Sequence, residues 1–393
     1  MTVLLGVVAW CILLAVAGPL IVFCAEVTFG LRRQSSETQD VAREATVTIL
    51  IPAHNEEAGI AETVRAVRAI SPLAQHVFVV ADNCTDQTAA VAEAAGAEVI
   101  QRFSQTERGK GYALAHGRDH LASTRAPDVV IVLDADCRLK EGSVERLAAG
   151  AMSTGRPIQA VNLLSADRQA SPLTQVSSFA MVVKNLIRSC GMQRMGGAAL
   201  LTGTGMAFPW QIFAKAHLAT GSIVEDLALG IELTKTGRPP ALLTTAHVRS
   251  ASAAEADAMQ QRERWEHGFL ATFRQQAWPT LKSGIAHGSL EQILLGLHLL
   301  VPPLALLLLV SSVTLAALGV LALLGASAIP ALVLLGLLGM AVILVFLAWL
   351  MWGREYLTAK ALFSIPFYII WKVPLYARFL LKPRTDWNRT PRG

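Results

Sequence analysis

Apolar residues crowd the two ends of this chain and thin into short, evenly spaced runs in its middle. The first 25 residues contain no Lys, Arg, Asp or Glu, long enough as a helix to cross the roughly 30 Å hydrocarbon layer of a bilayer. From Ile293 to Trp352 sixty residues again pass without one of these charges, enough for two spans joined by a turn near Gly325 to Pro330, with Pro302-Pro303 kinking or starting the first. His298 is the single ionisable side chain in that run. Ionisable groups inside a membrane are functional by default, but its place near the first turn favours a side chain facing the interface. Beyond Arg354 the pattern weakens. Ala361 to Trp371 is apolar but broken by Pro366, and Lys372, Arg378 and Lys382 interleave with Tyr368, Trp371 and Tyr376. Residues 355–393 therefore read as helices in the headgroup plane and a basic tail, in preference to a fourth span.

Between Thr46 and Trp278 the runs shorten. Val47 to Pro52, Val77 to Ala81, Val99-Ile100 and Val129 to Leu133 read as strands. The stretches between them carry helical spacing: Val64, Val67 and Ile70 recur along Glu62 to Ala69, and Asp86 to Ala95 begins after Thr85 as a cap and stops at Gly96. Alternating strands and helices, with the strands running into acidic loops, predict an α/β domain with a parallel sheet and its ligand at the strands' carboxyl ends. The segment is large enough to bury one full core.

Composition supports the division. Hydrophobic residues make up 53% and charged ones 16%, below the quarter usual in soluble domains. No basic n-region precedes the first apolar run, which argues for a retained span over a cleaved signal peptide. Arg32 and Arg33 follow that run, so the positive-inside rule places the amino terminus outside and the middle domain in the cytoplasm, and two further spans return the basic tail, Lys382 to Arg392, to the same side. The net charge of +5 then fits a membrane surface better than nucleic acid, for which no module is present. Cys11, Cys24, Cys84, Cys137 and Cys190 lack metal-ligand spacing, as in a reducing compartment.

The chemistry is concentrated after the strands. Asp134-Ala135-Asp136 ends the Val129 to Leu133 run, and a strand releasing two carboxylates on alternate residues can bring both to one divalent cation. Alone, such a pair is as often a solvated turn. His54-Asn55-Glu56-Glu57 follows the first strand and Asp82 the second. Gly203-Thr204-Gly205-Met206 allows close backbone approach to a ligand or is a plain turn, and Glu225-Asp226 opens a helical stretch where a carboxylate commonly serves the helix dipole. Trp265, Phe269 and Phe273 recur at helical spacing as an interfacial stripe.

Taken in order, Pro52-Ala53-His54-Asn55-Glu56, Asp82-Asn83-Cys84-Thr85-Asp86, Arg108-Gly109-Lys110-Gly111-Tyr112, Asp134-Ala135-Asp136, Glu225-Asp226 and Gln261-Arg262-Glu263-Arg264-Trp265 resemble the membrane-bound family 2 glycosyltransferases, the branch that includes cellulose, hyaluronan and poly-N-acetylglucosamine synthases. The resemblance covers about Thr46 to Trp265. It implies a GT-A type nucleotide-sugar-binding domain with a mostly parallel sheet, flanked by transmembrane and interfacial helices. It also implies that His54, Glu56 and Asp82 hold the nucleoside, and that Lys110 faces the base or diphosphate. Asp134 would contact the nucleotide and share Mg²⁺ or Mn²⁺ with Asp136. Arg262 and Arg264 would add a cationic clamp on the phosphates, or bind lipid headgroups instead. Gly203, Thr204, Gly205, Gln261 and Trp265 would lie toward the acceptor, and Asp226 would be the general base of a single inverting displacement.

The expected function is transfer of a sugar from a nucleotide sugar, a UDP-sugar first, to a membrane-held glycan or lipid-linked acceptor in exopolysaccharide synthesis at the inner membrane, with membrane lipids and partner subunits of an assembly system as partners. Thr204 to Phe208 departs from the Cys-Gly-Ser-like acceptor motif of cellulose-type enzymes, which leaves the acceptor open. The Gln-Arg-x-Arg-Trp motif favours a processive synthase, but three spans are few to enclose a polymer channel. A nucleotide-binding membrane scaffold without catalysis is the alternative from another class.

Overall fold

The computed structural model describes residues 2–32, 45–74, 76–220, 224–250 and 265–381. The chain folds as two compact units, one drawing on segments 34–165 and 198–265 and the other on 1–33, 166–197 and 266–384.

The first unit is built on an eight-stranded sheet in the order β3-β2-β1-β4-β7-β6-β8-β5. Its strands are β1 (Val47–Ala53), β2 (His76–Asp82), β3 (Glu98–Arg102), β4 (Val129–Val132), β5 (Cys137–Leu139), β6 (Ile158–Leu164), β7 (Met206–Pro209) and β8 (Ala241–Ser250). β1, β2, β3 and β4 run parallel, as do β6 and β8. Parallel strands covered on both faces need continuous apolar runs, and β1 and β4 supply them. Ile49, Ile51, Val129 and Ile131 face one layer with Ile60, Val64 and Val67 of the helix Ile60–Ile70 and Val144, Leu147 and Ala148 of the helix Ser143–Thr154. Leu50, Val80, Val130 and Val132 face the other with Leu114 and Leu121 of the helix Lys110–Ser123 and Leu229 and Leu233 of the helix Glu225–Lys235. Gly117 lets the third of these helices close on the sheet: a Cβ there would stand 2.8 Å from Leu50 Cδ1.

Three departures from the sequence reading bear on the site. β7 enters antiparallel between β4 and β6, so Met206 pairs with Val132 and the turn before β7 stands beside the end of β4. The helix after β2 starts at Thr88 instead of Asp86. Its N-cap position is Gln87, whose side chain makes no capping bond, and Asp86 just before it accepts from Thr88 N at 3.0 Å. Lys110, in the Arg108-Gly109-Lys110-Gly111-Tyr112 motif, opens a helix that the hydrophobic pattern did not predict, with Gly109 at φ 128° just before it.

Among the described residues of the second unit, three helices are long and apolar enough to cross a membrane: Thr2–Gly30, Leu304–Leu323 and Ile329–Gly353. The sixty-residue uncharged run does not begin with a span. Its first residues belong to the helix Leu290–Leu299, and Pro302-Pro303 separates this from Leu304–Leu323 because proline cannot donate to the preceding turn. Leu290–Leu299 folds back on Trp278–His287 through two glycines, where a Cβ on Gly296 would lie 2.6 Å from Leu281 N and one on Gly284 2.6 Å from Ile293 N. Residues after 358 form three short helices, Ala359–Leu362, Ile365–Trp371 and Val373–Leu381, none of spanning length.

His298 does not face an interface. It is 1% exposed and its Nδ1 hydrogen-bonds Glu26 Oε1 at 2.7 Å. Arg188, on the π-helical turn Val182–Arg188, donates through Nε to Glu26 Oε2 at 2.6 Å. Around this buried group the backbones touch. A Cβ on Gly191 would fall 1.8 Å from Glu26 O, and one on Gly30 2.0 Å from Ile187 O, the close approach that small residues permit between apolar helices.

Candidate active site

The β1 and β2 loops are laced together. Asn55 and Asn83 both take φ 53°, a left-handed conformation that asparagine tolerates better than most residues. Asn55 Oδ1 accepts from Thr85 N at 2.7 Å, Glu56 N donates to Thr88 Oγ1 at 2.7 Å, and the His54 ring bonds Asp82 O at 2.6 Å. His54, Glu56 and Asp82 are thus brought together. Cys84 serves this lacing too, with its sulfur accepting from Asn55 N at 3.4 Å. Asp82 is not a helix cap. Its Oδ1 accepts from Asn83 Nδ2 at 3.1 Å and from Arg102 at 2.8 Å, and Arg102 is braced by Glu107 Oε2 at 2.9 Å and the Tyr112 ring. Sequence reasoning missed Arg102. The available signal was an arginine closing β3 with an acid five residues on.

Lys110 stands at the centre of a second cluster. Its ammonium donates to Asp134 Oδ1 at 2.5 Å and to Gly203 O at 2.6 Å. Gly203 has φ +84°, and a Cβ there would lie 3.2 Å from both Lys110 Nζ and Asp226 Oδ2. Only glycine leaves room for the ammonium and the carboxylate at that point. Thr204 Oγ1 accepts from Asp134 N at 3.1 Å, and Asp226 Oδ1 from Leu227 N at 2.8 Å. Gly205 has a packing role, since a Cβ there would meet Val248 at 2.9 Å.

The electrostatics are those of an anionic pocket. Burial works to lower the Lys110 pKa, but Asp134, Glu225 and Asp226 together hold it well above the ordinary lysine range. Glu225, named in the sequence only as the partner of Asp226 in its motif, is pushed up to about 8 by burial and by the Asp226 carboxylate, with Lys110 pulling the other way. With Glu225 mostly protonated near neutral pH, one ammonium still stands among the carboxylates of Asp134, Asp136 and Asp226, which leaves room for further positive charge. Ligand atoms of Asp134, Asp136 and Cys137 lie within 4.8 Å of one another. Burial, reinforced by Asp134 and Asp136, pushes the Cys137 thiol well up, and its sulfur also contacts Ser250 Oγ at 3.2 Å. The thiol therefore stays protonated. Two carboxylates remain as hard donors, a set that fits Mg²⁺ or Mn²⁺ and not a thiophilic metal.

Of the remaining expected site residues, Gln261, Arg262 and Arg264 lie outside the described residues. Trp265 begins a helical segment and is 38% exposed.

Comparison with known proteins follows the same outline. The family described as "Glycosyltransferase like family 2" matches residues 43–268, more than half of the chain. Uncharacterized glycosyltransferases of Mycobacterium tuberculosis and Mycobacterium bovis are 37% identical over 103 residues, 26% of this chain. The chain spans 42% of the length of these relatives. Among solved structures, a mannosyltransferase from Pyrobaculum calidifontis in complex with GDP-Man and Mn²⁺ superposes with a TM-score of 0.61 at 16% identity, over 97% of this chain and 100% of that one. A glucosyl-3-phosphoglycerate synthase from Mycobacterium tuberculosis covers 60% of this chain and 84% of its own at 17% identity, with a TM-score of 0.38. With its GT-A-like α/β sheet and its family match across the whole carboxylate cluster, this chain belongs to the family 2 glycosyltransferases.

Proposed function

We propose that this protein is a metal-dependent, inverting glycosyltransferase that moves a sugar from a nucleoside-diphosphate sugar to a membrane-associated glycan or lipid-linked acceptor. The observation that carries the reading is the single cluster of Lys110, Asp134, Asp136 and Asp226 at the carboxyl ends of the sheet, in a chain that also holds three helices of spanning length. Asp82 and the laced His54–Glu56 loop bind the nucleoside. Lys110 donates to the diphosphate, and Asp226 accepts the proton of the attacking hydroxyl. Asp134 and Asp136 hold the divalent cation, which when bound supplies positive charge to the departing diphosphate. The glycine at 203 keeps the space between Lys110 and Asp226 clear for the sugar. One base and no nucleophilic carboxylate make a single displacement, so an α-linked donor gives a β-linked product. The Pyrobaculum protein was seen with GDP-Man and Mn²⁺, so GDP- and UDP-sugars both belong in a first screen. Synthesis of an exopolysaccharide is the process we assign.

Asp136→Ala is the direct test. It is expected to abolish release of nucleoside diphosphate from a panel of UDP- and GDP-sugars with Mn²⁺ and membrane lipids present, and EDTA should reproduce that loss in the wild type. Full turnover in EDTA would sink the metal assignment. No turnover of any donor by the wild type would sink the enzyme reading in favour of a nucleotide-binding scaffold.

The protein is further proposed to sit in the inner membrane with its site facing the cytoplasm. Ser327, in the turn between Leu304–Leu323 and Ile329–Gly353, is then expected to react as cysteine with an impermeant maleimide from outside, while a cysteine at Gln34 reacts only after permeabilisation. The opposite pattern overturns the orientation.

A further inference from the structure

Gln159 is 1% exposed on β6 and touches neither the candidate metal carboxylates nor the base. Its amide is nonetheless spent almost wholly on the turn that separates them. Gln159 Oε1 accepts from Thr202 N at 2.9 Å, and Nε2 donates to Thr204 O at 2.9 Å and to Ala160 O at 2.8 Å. The β6–β7 ladder pairs Ile158 with Ala207 and Gln159 with Met206. Beyond it, backbone bonds join Ala160 N to Gly205 O at 2.8 Å and Gly205 N to Val132 O at 2.9 Å. Thr202 to Thr204 are left outside the ladder. There the Gln159 side chain replaces the missing strand, offering one acceptor and one donor where a backbone would have done so.

That turn is the junction of the site. Gly203 supplies the carbonyl that fixes Lys110 at 2.6 Å, and Thr204 supplies the hydroxyl bonded to Asp134 N at 3.1 Å. The Gly203 Cα faces the Asp226 carboxylate. With the Gln159 amide removed, the half-buried Thr202 N and buried Thr204 O lose these partners, and backbone groups left so are driven to find others by moving. Such a shift would carry the Gly203 carbonyl with it and misplace Lys110 relative to Asp226. Small displacements of this kind are costly to chemistry, and cost donor affinity less because the His54–Glu56 loop and Asp82 still hold the nucleoside.

We propose that Gln159 is a positioning residue for the sugar-transfer step, holding the Thr202–Gly205 turn at the spacing that keeps Lys110 and Asp226 apart. The proposal rests on the glycosyltransferase reading above. Gln159→Met keeps side-chain length and burial and removes all three hydrogen bonds. Per folded protein, kcat with whichever UDP- or GDP-sugar the wild type turns over is expected to fall about thirtyfold, on the order of the cost of a misplaced reacting group, with donor KM within threefold. Ile158→Ala, a core truncation beside it on β6, serves as a stability-matched control and should leave kcat unchanged. Amide hydrogen exchange adds a readout independent of activity: Thr202 to Gly205 should exchange at least tenfold faster in Gln159→Met than in Ile158→Ala. Equal exchange in this turn, or a kcat no lower than that of Ile158→Ala, overturns the proposal. If the wild type turns over no donor, the glycosyltransferase reading fails, and the exchange experiment still decides whether Gln159 holds the turn.

Discussion

Asp226→Asn is expected to lower kcat by about a hundredfold or more while leaving donor affinity within a few-fold, in line with the contribution of a general base. Asparagine keeps the shape of the side chain, and its amide oxygen can still accept from Leu227 N, the bond that Asp226 Oδ1 makes at 2.8 Å. The start of the helix Glu225–Lys235 should therefore survive, and what is lost is the ability to take a proton. One secondary effect has a predictable sign. Asp226 is among the groups that push the Glu225 pKa up to about 8, after burial itself, so removing its charge lets Glu225 ionise at lower pH. If Glu225 could replace Asp226 as base, activity in the variant would recover with rising pH as Glu225 deprotonates. Stopped assays of diphosphate release from pH 6 to 9, together with titration of donor binding, separate these outcomes. Near-normal turnover with intact donor affinity, or a product with retained anomeric configuration, removes Asp226 from the chemistry and returns it to the helix-start role.

Arg188→Met is expected to be the most damaging single change to the second unit, destabilising it by about 3–5 kcal/mol, as removal of one partner from a buried ion pair does. Arg188 and Glu26 are 6% and 0% exposed at the side chain. Methionine would leave the Glu26 carboxylate with His298 as its remaining partner in the group. The double variant Glu26→Gln, Arg188→Met should cost less than Arg188→Met alone, because no uncompensated carboxylate is left. Thermal unfolding in detergent, followed by tryptophan fluorescence, checks both. A double variant less stable than Arg188→Met would mean that the bond between Glu26 and His298 outweighs the cost of leaving the carboxylate without Arg188.

What could be read from the residues alone depended on how local each signal is. β1 and β4 are legible because a strand buried on both faces is a run of Val, Ile and Leu, and Asp134 and Asp136 are legible because they end such a run. Asp226 was legible only through motif order, since a carboxylate opening a helix is ordinarily a dipole partner. Gln159 gave no local sign, and Arg102 only the acid five residues on, Glu107. Their importance comes from partners 20 and 43 residues away, Asp82 and Thr202, whose approach depends on the strand order. His298 was misread for the same reason: the charges that bury it, Glu26 and Arg188, are 272 and 110 positions distant. Span limits failed where periodicity was silent, since the uncharged run from Ile293 passes through the end of Leu290–Leu299 into Leu304–Leu323 with only two prolines to mark the break.

The backbone contact of Gly30 and Gly191 with their neighbours has a consequence for how the chain is made. Glu26 meets Arg188 across 162 positions, and the sheet from β1 to β6 lies between them in sequence. At about 5–20 residues per second, a ribosome delivers Arg188 on the order of ten to thirty seconds after Glu26. If the first helix crosses a bilayer, it does so with Glu26 near its end and before Arg188 is made. The helix gains its Arg188 and Gly191 contacts only when residues 187–191 arrive. Because β7 and β8 follow Arg188 in sequence, this ion pair can form before the sheet is complete, whereas His298 joins it only after all eight strands have been made.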